Sequence, residues 1–348
     1  MRIVVIVSNS IFEYLSLVHF LSGYRFPLNP ILSPISIPSQ GRLAPSPTGA
    51  QHVGNARTFL VAWLVERSQG GSLLLRIEDL DTPRTKDWAT QQAVDDLAWL
   101  GLDWDAVGSL QSTRVIRYQQ VLFQLQAMEL VYPCTCSRSE IEESASAPHE
   151  SALDGIVYPG TCSQRSVADA RELDARGERY AWRFRMPSGE MRWNDLLQGH
   201  QSLDAQRLLG DFVVARNYGP TAYQLAVTVD DHDQNITRVV RGDDLIYSTY
   251  RQLAIYHALD WTPPLWLHVP LVIGPDGKRL AKRHGDSRLS LMREQKIVPE
   301  RLIGILAASL GMQRTDAPIS ATELLGIVSD KPDWWQSIPR AAWVYELV

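Results

Sequence analysis

From residue 41 onward, short apolar runs alternate with longer stretches in which apolar residues recur at helical spacing. The short runs predict strands at residues 41–44 and 71–77, and the longer stretches predict helices at residues 55–68 and 83–100. The buried side of the second helix is expected to carry Trp88, Val94, Leu97 and Leu100. A strand, a helix and a further strand in this order predict an α/β fold with a doubly wound parallel sheet. Ligands of such sheets bind at the carboxyl ends of the strands.

The second half of the chain continues this pattern after an interruption at residues 133–165. Residues 180–186 alternate between apolar and polar positions as a strand does, and we expect residues 192–197 to pair with them. Pro299 is expected at the first position of a helix, where its missing N–H costs nothing. The other predicted elements are strands at residues 211–216 and 267–273, and helices at residues 166–176, 249–259, 288–296 and 299–310.

Composition restricts the class of protein. The chain has 348 residues, of which 45% are hydrophobic and 21% charged, so it can bury a large core as a soluble globular protein. A net charge of −5 argues against a broadly basic surface that coats nucleic acid, although a local basic face can still contact RNA phosphates. Residues 1–40 predict neither a clean membrane-spanning helix nor a signal peptide. We expect this extension to be poorly ordered and the protein to be cytoplasmic.

Residues 41–58 carry the most informative polar pattern of the chain. Two prolines and a glycine interrupt regular structure, and His52-Val53-Gly54-Asn55 then opens a mostly apolar helical run. The start of a helix presents backbone N–H groups and a partial positive charge, which suits a phosphate group. Gly54 would let such a ligand lie against the backbone, where a Cβ would obstruct it. Taken alone, the same features are also typical of a proline-rich loop that caps an ordinary helix.

Four stretches in a fixed order favour the phosphate-binding interpretation. Residues 41–58 resemble the signature of the class I glutamyl-type aminoacyl-tRNA synthetases, in which His-Val-Gly-Asn is a form of the HIGH motif. Residues 279–285 resemble the KMSKS loop of that family, with Arg279 in place of the first lysine and Ala281 in place of the serine. Residues 76–81 and 241–245 match two further family motifs. The resemblance covers roughly residues 40–312 and implies a Rossmann-type catalytic domain.

The resemblance also implies a chemistry. The carboxylate of glutamate would attack the α-phosphorus of ATP and expel pyrophosphate, a reaction that needs positioned donors more than a base. A buried arginine fork suits the side-chain carboxylate, for which Arg42 is the candidate, and Glu78 would accept hydrogen bonds from the ammonium group. The implied glutamate-binding residues are Arg42, Leu43, Ala44, Pro45, Ser46, Glu78, Tyr223 and Arg241. The implied catalytic residues are His52 and Lys282, which with Gly54 and Asn55 would bind ATP and its Mg²⁺.

The acidic run at residues 230–233 could indicate a metal site by itself. The resemblance instead makes this run a turn before a strand at residues 236–240, so no ligand is assigned to it. Arg241 would follow that strand at its carboxyl end and so reach the same crevice as His52 and Glu78.

The cysteines indicate a separate metal site. The chain has three, two of them in Cys134-x-Cys136, which argues against a disulfide framework and for a metal or reduced thiols. Zinc takes four tetrahedral ligands, so the cysteines leave one position open. In the family a tyrosine fills it, and Tyr158 with Cys162 reproduces the family's Tyr-x-x-x-Cys spacing. His149 is the competing ligand, because imidazole is a commoner one. One structural Zn²⁺ is therefore expected.

The stretch after Lys282 is too short for the anticodon-binding domain of a full glutamyl-tRNA synthetase. The chain thus most resembles the short glutamyl-Q branch, whose members transfer glutamate to queuosine in the anticodon of tRNA(Asp). ATP, L-glutamate and queuosine-containing tRNA(Asp) are the implied partners. Two alternatives are a truncated glutamyl-tRNA synthetase that charges a tRNA 3′ end and a non-catalytic RNA-binding paralogue. The expected divisions are an N-terminal extension (1–40), two catalytic halves (41–132 and 166–285), a zinc-binding insertion (133–165) and a helical stem-contact remnant with a tail (286–348).

Overall fold

The structure is a computed structural model that describes residues 39–80, 85–144, 154–217, 219, 221–278, 280 and 287–345. Residues 1–38 of the N-terminal extension, His149 and the loop residues Arg279, Ala281 and Lys282 lie outside these ranges, and the expected domain divisions stay predictions. The last residue of the expected extension, Gln40, begins the first strand of the fold. Within the described ranges, no helix has both the length and the apolar character that crossing a membrane would require.

Strands and helices alternate along most of the described chain. The strands are β1 (Gln40–Leu43), β2 (Ser72–Leu75), β3 (Ala106–Val107), β4 (Val131–Cys134), β5 (Ala181–Phe184), β6 (Glu190–Asp195), β7 (Gly199–Asp204), β8 (Phe212–Arg216), β9 (Arg238–Gly242), β10 (Leu265–Val269), β11 (Val272–Ile273) and β12 (Trp343–Val344). The helices are α1 (Val53–Ser68), α2 (Asp87–Trp99), α3 (Val115–Ala127), α4 (Arg138–Ser144), α5 (Asp169–Ala175), α6 (Ala205–Leu208), α7 (Tyr223–Asp233), α8 (Ile246–Ala258), α9 (Leu289–Glu294), α10 (Pro299–Ser309) and α11 (Ala321–Ser329). Short 3₁₀ helices occur at Gln111–Thr113, Asp243–Leu245 and Trp334–Ser337.

Parallel strands form the centre of the fold. Strand β2 pairs in parallel with β1 and β3, and β10 pairs in parallel with β9 and β6. Strand β1 lies beside the start of β9, because the Thr237 backbone N–H donates to the Gln40 carbonyl at 2.9 Å. The carboxyl ends of β1 and β9 therefore open at the same edge.

Both faces of these strands are covered. Leu73 and Leu75 of β2 belong to one hydrophobic core, which includes α1, α10 and α11, whereas Leu74 belongs to the core formed with α3, α7 and α8. In β9, Val240 belongs to the core with α1, and Val239 belongs to the core with α7 and α8. Successive side chains of a strand point to opposite faces, so this division confirms the expected doubly wound parallel sheet.

Strand partners were the least predictable part of the sheet. Residues 192–197 were expected to pair with residues 180–186, and this expectation is wrong. Strand β6 forms an antiparallel hairpin with β7 and also borders β10, while β5 pairs with β4 and β8. Alternation along a strand defines which face is buried, and it carries no information about which strand lies alongside.

Two further expectations are also wrong. The acidic run at residues 230–233 is the last turn of α7 rather than a turn before a strand. Carboxylates are unfavourable at a helix C-terminus, but arginines from other elements pair with Asp230, Asp231 and Asp233 here. Trp88 lies in the first turn of α2 with 55% of its surface exposed, although Leu97 and Leu100 are buried as expected.

The C-terminal region packs on the hydrophobic core that includes α1, α10 and α11, here called the first core. Trp334, Trp335 and Tyr345 are each at most 5% exposed there, and β12 pairs in parallel with β11. Strand β11 is separated from β10 at Pro270, which has no N–H to donate, so the single strand expected at residues 267–273 is divided. The tail therefore supports the segment that leads into the KMSKS-like stretch.

Two helical glycines give a matched test of this packing. A Cβ on Gly304 of α10 would clash with the backbone carbonyl of Ala317, whereas Gly326 of α11 faces open space. We expect Gly304→Ala to lower the free energy of unfolding by about 1–3 kcal/mol through overpacking. Gly326→Ala should raise it by about 0.5–1 kcal/mol through helix propensity. Urea denaturation measures both, and equal effects of the two substitutions would contradict the packing of α10 described above.

Candidate functional site

A cavity of about 620 Å³ opens at the carboxyl ends of β1 and β9, beside the N-terminus of α1. It brings together residues that are almost 200 positions apart in sequence. The predicted site residues that line it are Arg42, Ala44, Pro45, Ser46, His52, Gly54, Asn55, Glu78, Tyr223 and Arg241. Leu43 was also expected here, but its side chain is fully buried in the first core. Lys282 lies outside the described ranges.

His52 is the N-cap of α1. Its Nδ1 accepts a hydrogen bond from the Gly54 N–H at 3.1 Å, and its own N–H donates to Asn55 Oδ1 at 3.1 Å. A Cβ on Gly54 would lie 3.0 Å from the imidazole ring, so the absence of a side chain there makes room for the histidine itself. Because Nδ1 accepts, the neutral ring carries its proton on Nε2, where it can serve as a donor.

The rim of the cavity joins residues 51–53 to residues 287–289, which follow the KMSKS-like stretch. The Val53 N–H donates to the Ser287 carbonyl at 3.1 Å, and the Leu289 N–H donates to the Gln51 carbonyl at 3.0 Å. Leu280 is buried, and its N–H donates to the Val272 carbonyl at 3.3 Å. Leu280, within the KMSKS-like segment, and Ser287, just after it, are therefore both bound to residues at the rim of this cavity.

Buried charges form the floor beside β1 and β2. The guanidinium of Arg76 is fully buried and donates to Asp231 at 2.7 Å and to Glu78 at 3.0 Å. Burial opposes the charge, but Asp231 and Glu78 outweigh it and raise the pKa of Arg76. Arg42 Nε lies 3.5 Å from the same Asp231, and its Nη1 donates to the Val240 carbonyl at 3.0 Å. Arg76 thus holds Glu78 in place, and Asp231 is shared between two arginines.

Arg241 and Tyr223 form the opposite wall. Arg241 is 5% exposed, and burial lowers its pKa from the usual arginine value. Tyr223 lines the cavity with 38% of its surface exposed, and the protein atoms packed around its hydroxyl raise the pKa of that group. The charges that act on Tyr223 include Arg241, Glu78 and Arg42. The cavity therefore presents two arginines, a carboxylate and a phenol within one small volume.

Sequence reasoning missed the residues behind this wall and floor. Asp231 was assigned to a turn, although an acidic run ahead of a motif arginine was a usable signal of a counter-ion. His268 accepts a hydrogen bond from Arg241, and Asp195 lies 2.6 Å from the other ring nitrogen of His268. No sequence pattern singles out these two residues.

The three cysteines form the predicted cluster. Their Sγ atoms all lie within 4.8 Å of one another, with Cys136 and Cys162 at 3.6 Å. The Tyr158 hydroxyl lies 3.4 Å from Cys134 Sγ and 3.6 Å from Cys136 Sγ. Tetrahedral zinc with bonds of about 2.3 Å to sulfur and 2.0 Å to oxygen implies ligand separations of about 3.8 and 3.5 Å. The cluster of three cysteines could therefore hold a metal ion.

Burial affects these thiols unequally. It raises the pKa of Cys136 to about 11. Burial also opposes ionisation of Cys162, but hydrogen bonds from the Thr135 backbone, Tyr158 and Cys136 lower its pKa to about 7. The guanidinium of Arg183 lies over the Tyr158 ring, 3.8 Å from its centre, and fixes the ring beside the sulfurs.

A second cavity of about 900 Å³ adjoins the first and shares Ser46, Glu78 and Tyr223 with it. It extends towards the cysteine cluster and is lined there by Cys136 and by the basic and apolar residues Arg138, Arg183, Arg216, Leu80, Ile141 and Ile156. Ser46, Glu78 and Tyr223 therefore line both cavities.

Comparison with known proteins agrees with this site. Residues 40–325 match the family model of the class I tRNA synthetases (E and Q), catalytic domain. A glutamyl-Q tRNA(Asp) synthetase of Rhodopirellula baltica is 48% identical over 307 residues, which cover 84% of this chain and 92% of the relative. Glutamate–tRNA ligase 2 of Syntrophus aciditrophicus is 40% identical over 274 residues, covering 76% of this chain and 56% of the relative.

Solved structures show the same likeness. The crystal structure of a glutamate–tRNA synthetase from Elizabethkingia anophelis superposes with a TM-score of 0.74 at 25% identity, and the match covers 88% of this chain and 68% of that one. The family match extends over most of the chain and includes the whole lining of the first cavity. The chain therefore belongs to the class I tRNA synthetases of the E and Q type and contains their catalytic domain.

Proposed function

We propose that the chain activates L-glutamate with ATP and transfers it to queuosine in the anticodon of tRNA(Asp). Two relatives that bear the name glutamyl-Q tRNA(Asp) synthetase match the chain over 91–92% of their own length, which supports this acceptor. The observation that carries the activation step is the cavity in which Arg42, Glu78, Tyr223 and Arg241 meet the capped start of α1. The cytoplasm, where these substrates occur, is the proposed compartment.

Glutamate would bind at the inner end of this cavity. Two buried arginines match its acceptor groups, because carboxylates accept bidentate hydrogen bonds from a guanidinium. Glu78 would accept from the ammonium group, since Arg76 fixes it without fully using its oxygens. The hydroxyl of Tyr223 is protonated at neutral pH, since burial only raises further a pKa that is ordinarily well above neutral, and it would donate a further hydrogen bond. Ala44, Pro45 and Ser46 would form the adjoining wall, and the backbone of Leu43 would contribute in place of its buried side chain.

ATP would bind at the outer end. The backbone N–H groups at the start of α1 and the Nε2 proton of His52 suit the phosphate oxygens, and Asn55 closes the cap that orients the histidine. Lys282 would neutralise the leaving pyrophosphate, and its described neighbours on either side contact the same rim. Mg²⁺ would enter with the phosphates, which are its usual ligands.

The reaction then needs no protein nucleophile. A carboxylate oxygen of glutamate forms a bond to the α-phosphorus, the bond to the bridging oxygen breaks, and pyrophosphate leaves with the electron pair. His52 and the helix start would stabilise the charge that grows on the α-phosphoryl oxygens. A hydroxyl of the acceptor would next attack the glutamyl carbonyl, lose its proton and displace AMP. The second cavity, which meets the first at Ser46, Glu78 and Tyr223, would admit that acceptor, and its arginines suit RNA phosphates.

We further propose that Cys134, Cys136, Tyr158 and Cys162 hold one structural Zn²⁺. The match between their separations and tetrahedral geometry supports this ligand set. The ion would clip β4 to residues 158–162, at the end of the second cavity. Its role would be to hold that wall, since the activating residues line the other cavity.

Metal analysis tests this ligand set. The purified wild type is expected to contain one zinc per chain, and Cys134→Ser is expected to lose it. Tyr158→Phe should weaken zinc binding by more than the ~10–100-fold that loss of an outer-shell partner costs, because it removes a direct ligand. Competition with a chelator measures the affinity, and His149→Ala is the matched control. If His149→Ala loses zinc and Tyr158→Phe keeps it, Tyr158 is not the fourth ligand.

The proposed function is tested with radiolabelled glutamate, ATP and bulk tRNA that contains or lacks queuosine. We expect ATP–pyrophosphate exchange with glutamate alone, and labelling only of queuosine-containing tRNA. Cutting the labelled tRNA into fragments should place the label in the anticodon fragment; label at the 3′ end would favour a truncated glutamyl-tRNA synthetase. No exchange under any condition would favour a non-catalytic paralogue. His52→Ala should impair exchange, with His257→Ala, an exposed histidine of α8, as the control.

A further inference from the structure

A chain of three buried polar side chains lies beneath the first cavity. Asp195 ends β6, His268 lies in the adjacent strand β10, and Arg241 lies in β9 on the other side of β10. His268 is fully buried, and Asp195 and Arg241 are 4% and 5% exposed. Only Arg241 reaches the cavity. The other two therefore act, if at all, through the arginine.

The hydrogen bonds define the protonation of His268. Asp195 accepts from the backbone N–H groups of Leu197, Gln198 and His268, at 2.8–3.1 Å, and lies 2.6 Å from His268 Nδ1. An ionised carboxylate can only accept, so Nδ1 carries the ring proton. Nε2 is then a lone-pair acceptor, and Arg241 Nε donates to it at 3.0 Å.

The imidazole keeps this state at neutral pH. Burial lowers the pKa of His268 to about 4; Asp195 acts against this shift, while the charges of Arg241 and Arg42 add to it. The ring edge packs on Trp193, with 5.6 Å between the ring centres. His268 is therefore a neutral acceptor whose ring is fixed on two sides.

Two of the three guanidinium nitrogens of Arg241 donate hydrogen bonds to protein acceptors, and the third does not. Besides Nε, its Nη2 donates to Thr249 Oγ1 at 2.8 Å and to the Leu245 carbonyl at 3.3 Å. The remaining nitrogen, Nη1, is buried and makes no well-aligned hydrogen bond to any residue that the structure describes, although the Tyr223 hydroxyl lies close enough to act on the guanidinium. A buried guanidinium nitrogen without a partner is costly, so Nη1 indicates the position of a missing acceptor.

The acceptors that hold Arg241 share one property: none of them is charged. Arg76, by contrast, lies between Asp231 and Glu78, which offset its charge. No carboxylate of the described residues forms an ion pair with Arg241. A carboxylate in the place of His268 would orient the guanidinium but also neutralise it, and it would compete with an anionic ligand. A neutral imidazole orients the arginine and leaves its charge available.

We propose that Asp195, His268 and Thr249 form a positioning cradle, which holds the guanidinium of Arg241 so that Nη1 faces a carboxylate of the bound amino acid. The inference rests on the proposed function for the identity of the ligand. Asp195 sets the tautomer of His268, His268 sets the tilt of the guanidinium, and Thr249 sets its rotation. All three residues act through Arg241 and none of them touches the substrate.

The test separates positioning from simple structural support. In ATP–pyrophosphate exchange, His268→Leu is expected to raise KM for glutamate by about 10- to 100-fold, the equivalent of one hydrogen bond to a charged group. KM for ATP should keep its wild-type value. His268→Gln, whose side-chain carbonyl can accept from Arg241 Nε, should restore most of the affinity for glutamate. Thr249→Val, which keeps the shape but loses the hydroxyl, should shift KM for glutamate in the same direction as His268→Leu.

Trp266→Phe is the matched control, because Trp266 is buried on the same face of β10 and packs on Trp193 and Tyr256 without touching Arg241. It should lower the thermal midpoint and leave KM for glutamate unchanged. The cradle is refuted if His268→Leu leaves KM for glutamate unchanged, or raises the KM values for glutamate and ATP together. It is also refuted if His268→Gln behaves like His268→Leu. Absence of glutamate-dependent exchange in the wild type would instead refute the proposed function, and with it the ligand assigned to Arg241.

Discussion

Replacing Arg241 with methionine is expected to reduce kcat/KM for glutamate-dependent ATP–pyrophosphate exchange by roughly a thousandfold, which corresponds to the loss of two charge-assisted hydrogen bonds in a buried site. Methionine fills most of the volume of the arginine but provides no donor. The substitution leaves no carboxylate of the described residues without its cation, because the partners of Arg241 are His268, Thr249 and the Leu245 carbonyl. The loss should therefore appear in activity far more than in stability.

Arg192→Met provides the control for this measurement. Arg192 lies on β6 with its side chain 66% exposed and pairs with the exposed Glu190, so its removal should change neither exchange nor the thermal midpoint. Exchange is measured at several glutamate and ATP concentrations, so that the two KM values are obtained separately. An Arg241→Met enzyme with normal exchange would show that the glutamate site has been assigned to the wrong wall of the cavity.

Replacing Arg76 with methionine is expected to lower the free energy of unfolding by about 3–5 kcal/mol, the cost of removing one partner from a buried ion pair. Arg76 is the fully buried cation between Asp231 and Glu78. Without it, Asp231 retains only Arg42 at 3.5 Å, and Glu78 loses the ion pair that holds it at the cavity. Glutamate activation should fall as well, because Glu78 would no longer be fixed.

Arg67→Met is the matched control, since Arg67 also bonds two carboxylates, those of Asp103 and Asp105, at 2.7–3.1 Å. Those side chains are 73% and 49% exposed, so water can solvate them after the change. The expected cost is at most about 1 kcal/mol. Urea denaturation of the two variants gives the comparison. Similar losses for Arg76→Met and Arg67→Met would mean that the charges under the cavity are hydrated rather than buried.

Local signals in the sequence predicted most of the elements, and the resemblance to a known family added most of the residues that line the cavity. Apolar periodicity identified α1, β2 and α10, and the proline and glycine pattern ahead of His52 located the start of α1. The resemblance to family motifs singled out Arg241 and Glu78, and their positions at the ends of apolar strands placed them at one edge of the sheet, where parallel strands present their ligands. These features are local because hydrogen bonding within a helix and alternation along a strand are local.

Partners that come from distant segments were not accessible in this way. Asp231 was misassigned because the acidic run around it signals a counter-ion at most and does not reveal that its partners are Arg42 and Arg76, each more than 150 residues away. The contact of β6 with β10 was missed for the same reason, whereas its hairpin with β7 joins neighbouring segments. Trp88 was expected to be buried because it is apolar, but its position at the first turn of α2 leaves it beyond the neighbouring elements.

The sequence alone determined the order of strands and helices and the helix start at His52, because propensity, capping and face alternation depend on near neighbours. With the family motifs it also indicated the polar residues that line the cavity. Only the folded structure decided which carboxylate offsets the charge of each arginine and which arginine keeps its charge for a ligand. These pairings depend on how the folded sheet brings distant strands side by side. Arg76 between two acids and Arg241 on a neutral histidine are the same residue type at two strand ends, and only their surroundings in the folded molecule distinguish them. The energy of a charge is set by everything within a few ångströms of it, and that neighbourhood exists only after folding.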